Sequence, residues 1–73
     1  MKNDLAIRRR RRGLTQEELA EAVGVTRQTI IGIERNRHSP SLELAFELAA
    51  FFDSRVEDLF FPESATAYTR LGY

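Results

Sequence analysis

The residues of this chain best equipped for chemistry are three consecutive polar side chains, Arg27, Gln28 and Thr29, preceded by Thr26. Arginine can grip guanine O6 and N7, glutamine can pair with adenine N6 and N7, and a threonine methyl can touch thymine. Thr26 is a good helix N-cap, which makes the three residues after it the exposed first turn of a helix. A solvated helix start would carry the same residue types, because polar first turns are common. Catalysis has no comparable set: one histidine, no cysteine and no glycine-rich phosphate loop leave no constellation for an enzyme. His38 lacks the partners that a metal site needs, so neither metal nor cofactor is expected.

Residues 15–34 must position that turn. Leu19, Ala20 and Val23, then Val25, Ile30 and Ile33, recur at helical spacing and give two short helices an apolar stripe each. Gly24 lies between them, where the chain reverses within a few residues and a positive φ is needed. Ala20 leaves room for two helices that cross steeply. Thr15 with Glu18 reads as a capping box opening the first of the pair. The pattern is a helix-turn-helix over residues 16–34, whose second helix commonly lies in a DNA major groove.

Seventy-three residues make one small domain, near the lower size for a self-sufficient core, so burial against a second copy would help. Without cysteine there is no disulfide framework or thiolate metal site. No apolar run is long enough to span a bilayer and the N-terminus lacks a signal-peptide core, so a cytoplasmic protein is the expectation. The formal net charge is zero, yet it is unevenly distributed. Residues 1–38 hold nine basic against five acidic side chains, a net +4, and residues 39–73 hold two against six, a net −4. The basic half carries the helix-turn-helix and suits phosphates, while the acidic half is left for a protein partner.

The first helix is expected over residues 4–12, entered through Asn3 or Asp4. Its five arginines, Arg8 to Arg12, step by about 100° each and cannot all face water. Arg8, Arg9 and Arg12 share the face of Leu5, and Glu34 is the candidate partner for a buried Arg9. Gly13 stops this helix. Residues 35–41 read as a loop, with Asn36 suited to a left-handed helix end. Arg35, Asn36, Arg37 and His38 are expected beside a phosphate strand. A fourth helix is expected over residues 41–52, burying Leu42, Ala45, Leu48, Ala49 and Phe52. A Ser54–Glu57 capping box then opens a fifth over 55–61, with Val56, Leu59 and Phe60 packed inward. Phe46, Phe51 and Phe61 exceed what one small core hides, which points to an apolar interface patch. Residues 62–73 form a tail, either a short strand pairing with residues 1–3 or a second subunit, or a disordered end.

Residues 5–61 resemble the Cro/XRE family of phage-repressor-type helix-turn-helix regulators. The likeness runs through Arg9, Gly13-Leu14-Thr15-Gln16, Glu18-Leu19-Ala20, Gly24-Val25, Arg27-Gln28-Thr29-Ile30, Ile33-Glu34, Pro40-Ser41-Leu42 and Glu57-Asp58-Leu59-Phe60. It implies an all-α, five-helix lambda-repressor-like domain over residues 1–61 that binds double-stranded operator DNA as a two-fold homodimer. It further implies Gln16 on a phosphate, with Thr15 and Thr26 at the two helix starts beside it, Arg27 and Gln28 on base edges, and an internal Arg9–Glu34 pair. The dimer interface is expected to draw on Phe51, Phe60, Phe61, Tyr68 and Leu71, with a terminal strand pairing there. Departures from the family are Arg8 where leucine is common, His38 where an aromatic is, Asn36 where glycine is, and Ile31-Gly32 at positions often polar. Gly32 offers no side chain, and Ile31 is expected to touch a thymine methyl.

These features make a transcriptional regulator, a repressor on a palindromic operator, the expected function. Two alternatives use the same fold: an antitoxin whose tail or acidic face holds a toxin, and a protein-interaction module without DNA binding.

Overall fold

The computed structural model describes residues 1–61, which fold into five helices and two very short strands. In chain order these are β1 (Lys2–Asn3), α1 (Leu5–Arg11), α2 (Gln16–Val23), α3 (Arg27–Glu34), α4 (Leu42–Phe51), α5 (Val56–Leu59) and β2 (Phe60–Phe61). The expected all-α, five-helix domain is therefore present, with a small sheet added. Tyr68, Leu71 and the rest of residues 62–73 lie outside the described residues.

Helix starts follow the local chemistry of the sequence. Thr15 forms the full capping box with Glu18, and Thr26 and Ser41 accept from the third helical amide of α3 and α4. At α1 the cap is supplied one residue early: Asn3 Oδ1 accepts from Leu5 N at 3.0 Å, and Asp4 makes no side-chain cap.

Four helix ends share one device, a left-handed residue whose amide and the next fold back onto the last turn. Gly13, Gly24, Asn36 and Asp53 have φ of 68°, 73°, 60° and 52°. The following amides, from Leu14, Val25, Arg37 and Ser54, donate to Arg9, Ala20, Gly32 and Ala49 carbonyls at 2.9–3.1 Å.

The end of the domain departs from expectation. The Ser54–Glu57 box is not made, because Ser54 Oγ donates instead to the Arg55 carbonyl and Arg55 occupies the cap position of α5. Helix α5 is one turn long. At Phe60 the chain turns extended (φ −122°, ψ 134°) and pairs antiparallel with β1, Lys2 opposite Phe61 and Asn3 opposite Phe60. Alternation along a strand then sends Phe60 into the core while Phe61 stays half-buried. A helix continued to residue 61 would have left the backbone of residues 2–3 without a ladder partner. Residues 2–3 thus pair with Phe60–Phe61 of the same chain, while the strand expected in the tail lies outside the described residues.

The core joins Leu5, Leu19, Ile30, Ile33, Leu48 and Leu59, all fully buried, with Ala20, Leu44, Ala45, Ala49, Phe52 and Phe60 around them. Leu42, expected inside, is 71% exposed. The two leucines flank the inward stripe of α4 on opposite sides. Leu44 lies on the side of the α2–α3 turn, where it shares a crevice with Val23 and Val25 and is buried in its stead. Phe60 at 6% exposure belongs to its own core, which removes it from the set expected between copies. Phe51 and Phe61 remain half-buried and Phe46 is 59% exposed.

Candidate nucleic-acid interface

Helix α3 is held from both ends, and the residues that hold it are charged or polar. At its C-terminal end Glu34 accepts from Arg9 Nε at 2.7 Å and Arg9 Nη2 at 3.2 Å, a side-on pair. Glu34 Oε1 also accepts from Gln16 Nε2 at 3.0 Å, and Arg9 Nη1 donates to the Leu14 carbonyl at 2.7 Å. Arg9 is the only buried charged residue among those described, at 8% exposure. Its partners come from the α1–α2 turn and from α3, and Gln16 adds the start of α2. One guanidinium therefore fixes three segments relative to each other.

Asn3 adds a second tie that the sequence did not announce. Its amide nitrogen donates to the Ile33 carbonyl at 2.9 Å and to Asn36 Oδ1 at 3.2 Å, while its oxygen caps α1. This single side chain links β1, α1 and the end of α3. The only sequence signal was its fitness as a cap, and its partners lie some thirty positions away.

At the other end of α3, the left-handed Gly24 and the Val25–Ala20 hydrogen bond set the reversal. Thr26 Oγ1 accepts from Thr29 N at 3.3 Å and lies 3.1 Å from Thr29 Oγ1. Thr29 is half-buried, with its hydroxyl beside that of Thr26. Arg27 and Gln28 are exposed and have no hydrogen bond or ion pair among the described residues. Ile31 is half-buried and Gly32 buried.

Around this helix lie the residues expected on phosphates. Arg35, Asn36, Arg37 and His38 are all exposed. Thr15 and Thr26 are exposed, with hydroxyls that serve as caps. Gln16 is half-buried; its amide nitrogen gives one of two hydrogens to Glu34 and retains the other.

The arginine run divides as its periodicity requires. Arg10 and Arg11 are exposed. Arg8 Nη2 reaches the Asp58 carbonyl at 3.4 Å. Arg12 Nη1 donates to the Phe51 carbonyl at 2.6 Å, and its guanidinium lies 5.4 and 5.1 Å from the centres of the Phe51 and Phe52 rings. Arg12 thus caps the end of α4 and covers part of the Phe51 surface. Among the described residues no helix is long and apolar enough to cross a membrane.

The sequence profile of the helix-turn-helix family of Cro/C1 type matches residues 5–59, the span from α1 to α5. The chain belongs to the Cro/XRE family of helix-turn-helix regulators. This XRE-family protein is 52% identical over 63 residues to an HTH-type transcriptional regulator of Methanocaldococcus jannaschii, covering 86% of this chain and 96% of that one. It is 46% identical over 63 residues to the HTH-type transcriptional regulator YgzD of Bacillus subtilis, with the same shares covered. A cryptic phage CTXphi transcriptional repressor, RstR, found in Vibrio cholerae, is 38% identical over 48 residues, covering 66% of this chain and 43% of the repressor. Among solved structures, the hypothetical transcription factor NHTF from Neisseria superposes with a TM-score of 0.71 at 26% identity, covering 93% of this chain and 76% of that chain.

Proposed function

We propose that this regulator binds a palindromic DNA operator as a homodimer, in the cytoplasm, and represses transcription from it. The observation that carries the reading is the first turn of α3. Arg27 and Gln28 stand exposed and, among the described residues, unengaged on a helix that is otherwise locked to the core by Arg9, Gln16, Glu34 and Asn3. Preorganised donors on a rigid element reach base edges without an ordering cost at the moment of binding. Arg27 would take a guanine, Gln28 an adenine, and the Thr29 methyl a thymine, with Ile31 against the neighbouring methyl surface. Thr15, Gln16, Thr26, Arg35, Asn36 and Arg37 would hold the phosphates that set register.

A homodimer places two recognition helices in successive major grooves, about 34 Å apart. Exposed Leu42 and Phe46, with half-buried Phe51 and Phe61, supply apolar surface for that contact. Similarity to a phage transcriptional repressor supports repression over activation. Selecting bound sequences from a random duplex library tests the reading. A two-fold symmetric motif with half-sites one helical turn apart is expected, together with lower expression of a reporter placed behind it. Enrichment of an asymmetric single site, or of nothing, contradicts the dimeric operator.

A further inference from the structure

Gly32 is the one glycine inside a helix of the described residues, and glycine there is unfavourable relative to alanine. Its φ is not positive, so the backbone does not demand it. Residue 38 stands over it. A Cβ added at Gly32 would overlap His38 Nε2, and would come to 2.6 Å from Cδ2 and 2.9 Å from Cε1. The imidazole tip occupies the space where a side chain at position 32 would begin. The loop is held in that place by the Arg37 amide, which donates to the Gly32 carbonyl at 2.9 Å.

The location of Gly32 gives this contact a meaning. On α3 the core stripe is Ile30 and Ile33, and the opposite stripe runs through Gln28, Gly32 and Arg35. Position 32 follows Gln28 by four residues, so the two are neighbours on the outward face. Gly32 is nevertheless buried, whereas Gln28 above it and His38 over it are exposed. The helix has no side chain of its own at that point and another segment of the chain supplies one.

We infer that His38 serves as the missing side chain of the recognition helix at position 32, reading the base pair next to that under Gln28. The inference rests on the DNA-binding reading of α3. With its tip seated on Gly32, the ring keeps Nδ1 to donate to or accept from a base edge in the groove. His38 accordingly belongs with Gln28 rather than with the phosphate contacts of Arg35 and Arg37. Gly32 is then a positioning residue, since any Cβ there evicts the ring.

The test uses the full chain and its selected duplex, with each base pair of one half-site substituted in turn. Wild type, Gln28→Ala, His38→Ala, Gly32→Ala and the Gly32→Ala/His38→Ala double variant are titrated at several salt concentrations, and their thermal melting is recorded. His38→Ala is expected to lose about 10-fold of discrimination at one base pair, adjacent to the one that Gln28→Ala relaxes. Gly32→Ala should relax the same base pair to the same extent, and the double variant should go no further. The salt dependence should be unchanged in all of them. Because His38 is exposed, its removal leaves the fold in place and the single variant carries the test alone.

An equal loss on selected and scrambled duplexes, with a shallower salt dependence, would assign His38 to a phosphate and overturn the inference. So would wild-type discrimination in Gly32→Ala, or losses that multiply in the double variant. If the wild-type chain enriches no sequence, the regulator reading itself fails and takes this inference with it. That result is distinguishable, since every other outcome begins from a wild-type chain that discriminates.

Discussion

The Arg9 guanidinium meets the Glu34 carboxylate side-on, at 2.7 and 3.2 Å, with both side chains buried, at 10% and 6% exposure. Removing one partner strands a buried charge, whereas replacing both by apolar residues of similar volume does not. Glu34→Ala or Arg9→Ala should therefore cost about 3–5 kcal/mol of stability. Arg9→Met combined with Glu34→Leu should cost less than either alone. Denaturant unfolding followed by far-UV circular dichroism reads both, and a double variant at least as unstable as the worse single would count against the argument.

Base reading and phosphate holding separate in the response to sequence. Arg27→Ala should lower affinity for the selected operator by about 1–3 kcal/mol and relax one base pair, with little change on scrambled DNA. Arg37→Ala should weaken both duplexes alike and lower the slope of log affinity against log salt by about one. Titrations at 50–300 mM salt, roughly the range over which such slopes are resolved, compare them directly. Equal losses on both duplexes for Arg27→Ala would remove it from the base-reading set.

The left-handed Gly24 separates the two motif helices, and nothing lies within 4 Å of where its Cβ would be. The cost of Gly24→Ala is thus conformational rather than steric, about 1–2 kcal/mol for an L-residue in that region. Thermal unfolding measures it. A loss well above this range would mean a clash that the geometry does not contain.

Glu18 accepts the Thr15 amide at 2.8 Å, which together with the Thr15 side chain holds its carboxyl below the ordinary value of 4.5. A depressed carboxyl contributes stability that is present above 4.5 and is lost as pH falls through the folded-state value. In Glu18→Gln the amide oxygen keeps the capping geometry without titrating. Unfolding midpoints measured from pH 6 down to about 2.5 should fall less steeply for the variant than for wild type, in the window below the ordinary value. Parallel curves for the two chains would mean that Glu18 contributes nothing to the acid limb.

Much of this fold could be read from local chemistry because the signals were local. Thr15 with Glu18, Thr26, Gly24 and Asn36 each act within a few residues of themselves, and each has in the structure the role its local chemistry predicts. Arg9 with Glu34 could be paired because a buried guanidinium demands a carboxylate and periodicity left one at the right end of α3. The misplacements came where distant packing outweighed local preference. Ser54 and Glu57 have the spacing of a capping box, yet Ser54 Oγ donates to the Arg55 carbonyl instead, and at its other end α5 stops early with Phe60 in the core and paired with Asn3. Leu42 and Leu44 are equally apolar, and only the proximity of Val23 and Val25 decides which is buried. The seat of His38 on Gly32 and the reach of Arg12 to Phe51 join segments that no spacing rule connects.

Mapping amide chemical-shift changes when the selected duplex is added to the isotopically labelled chain tests directly whether α3 meets DNA. The largest changes are expected from Thr26 to Gly32, with a second group at Gln16 and from Arg35 to His38. Changes concentrated on α4 and α5, with Arg27 and Gln28 unmoved, would contradict it.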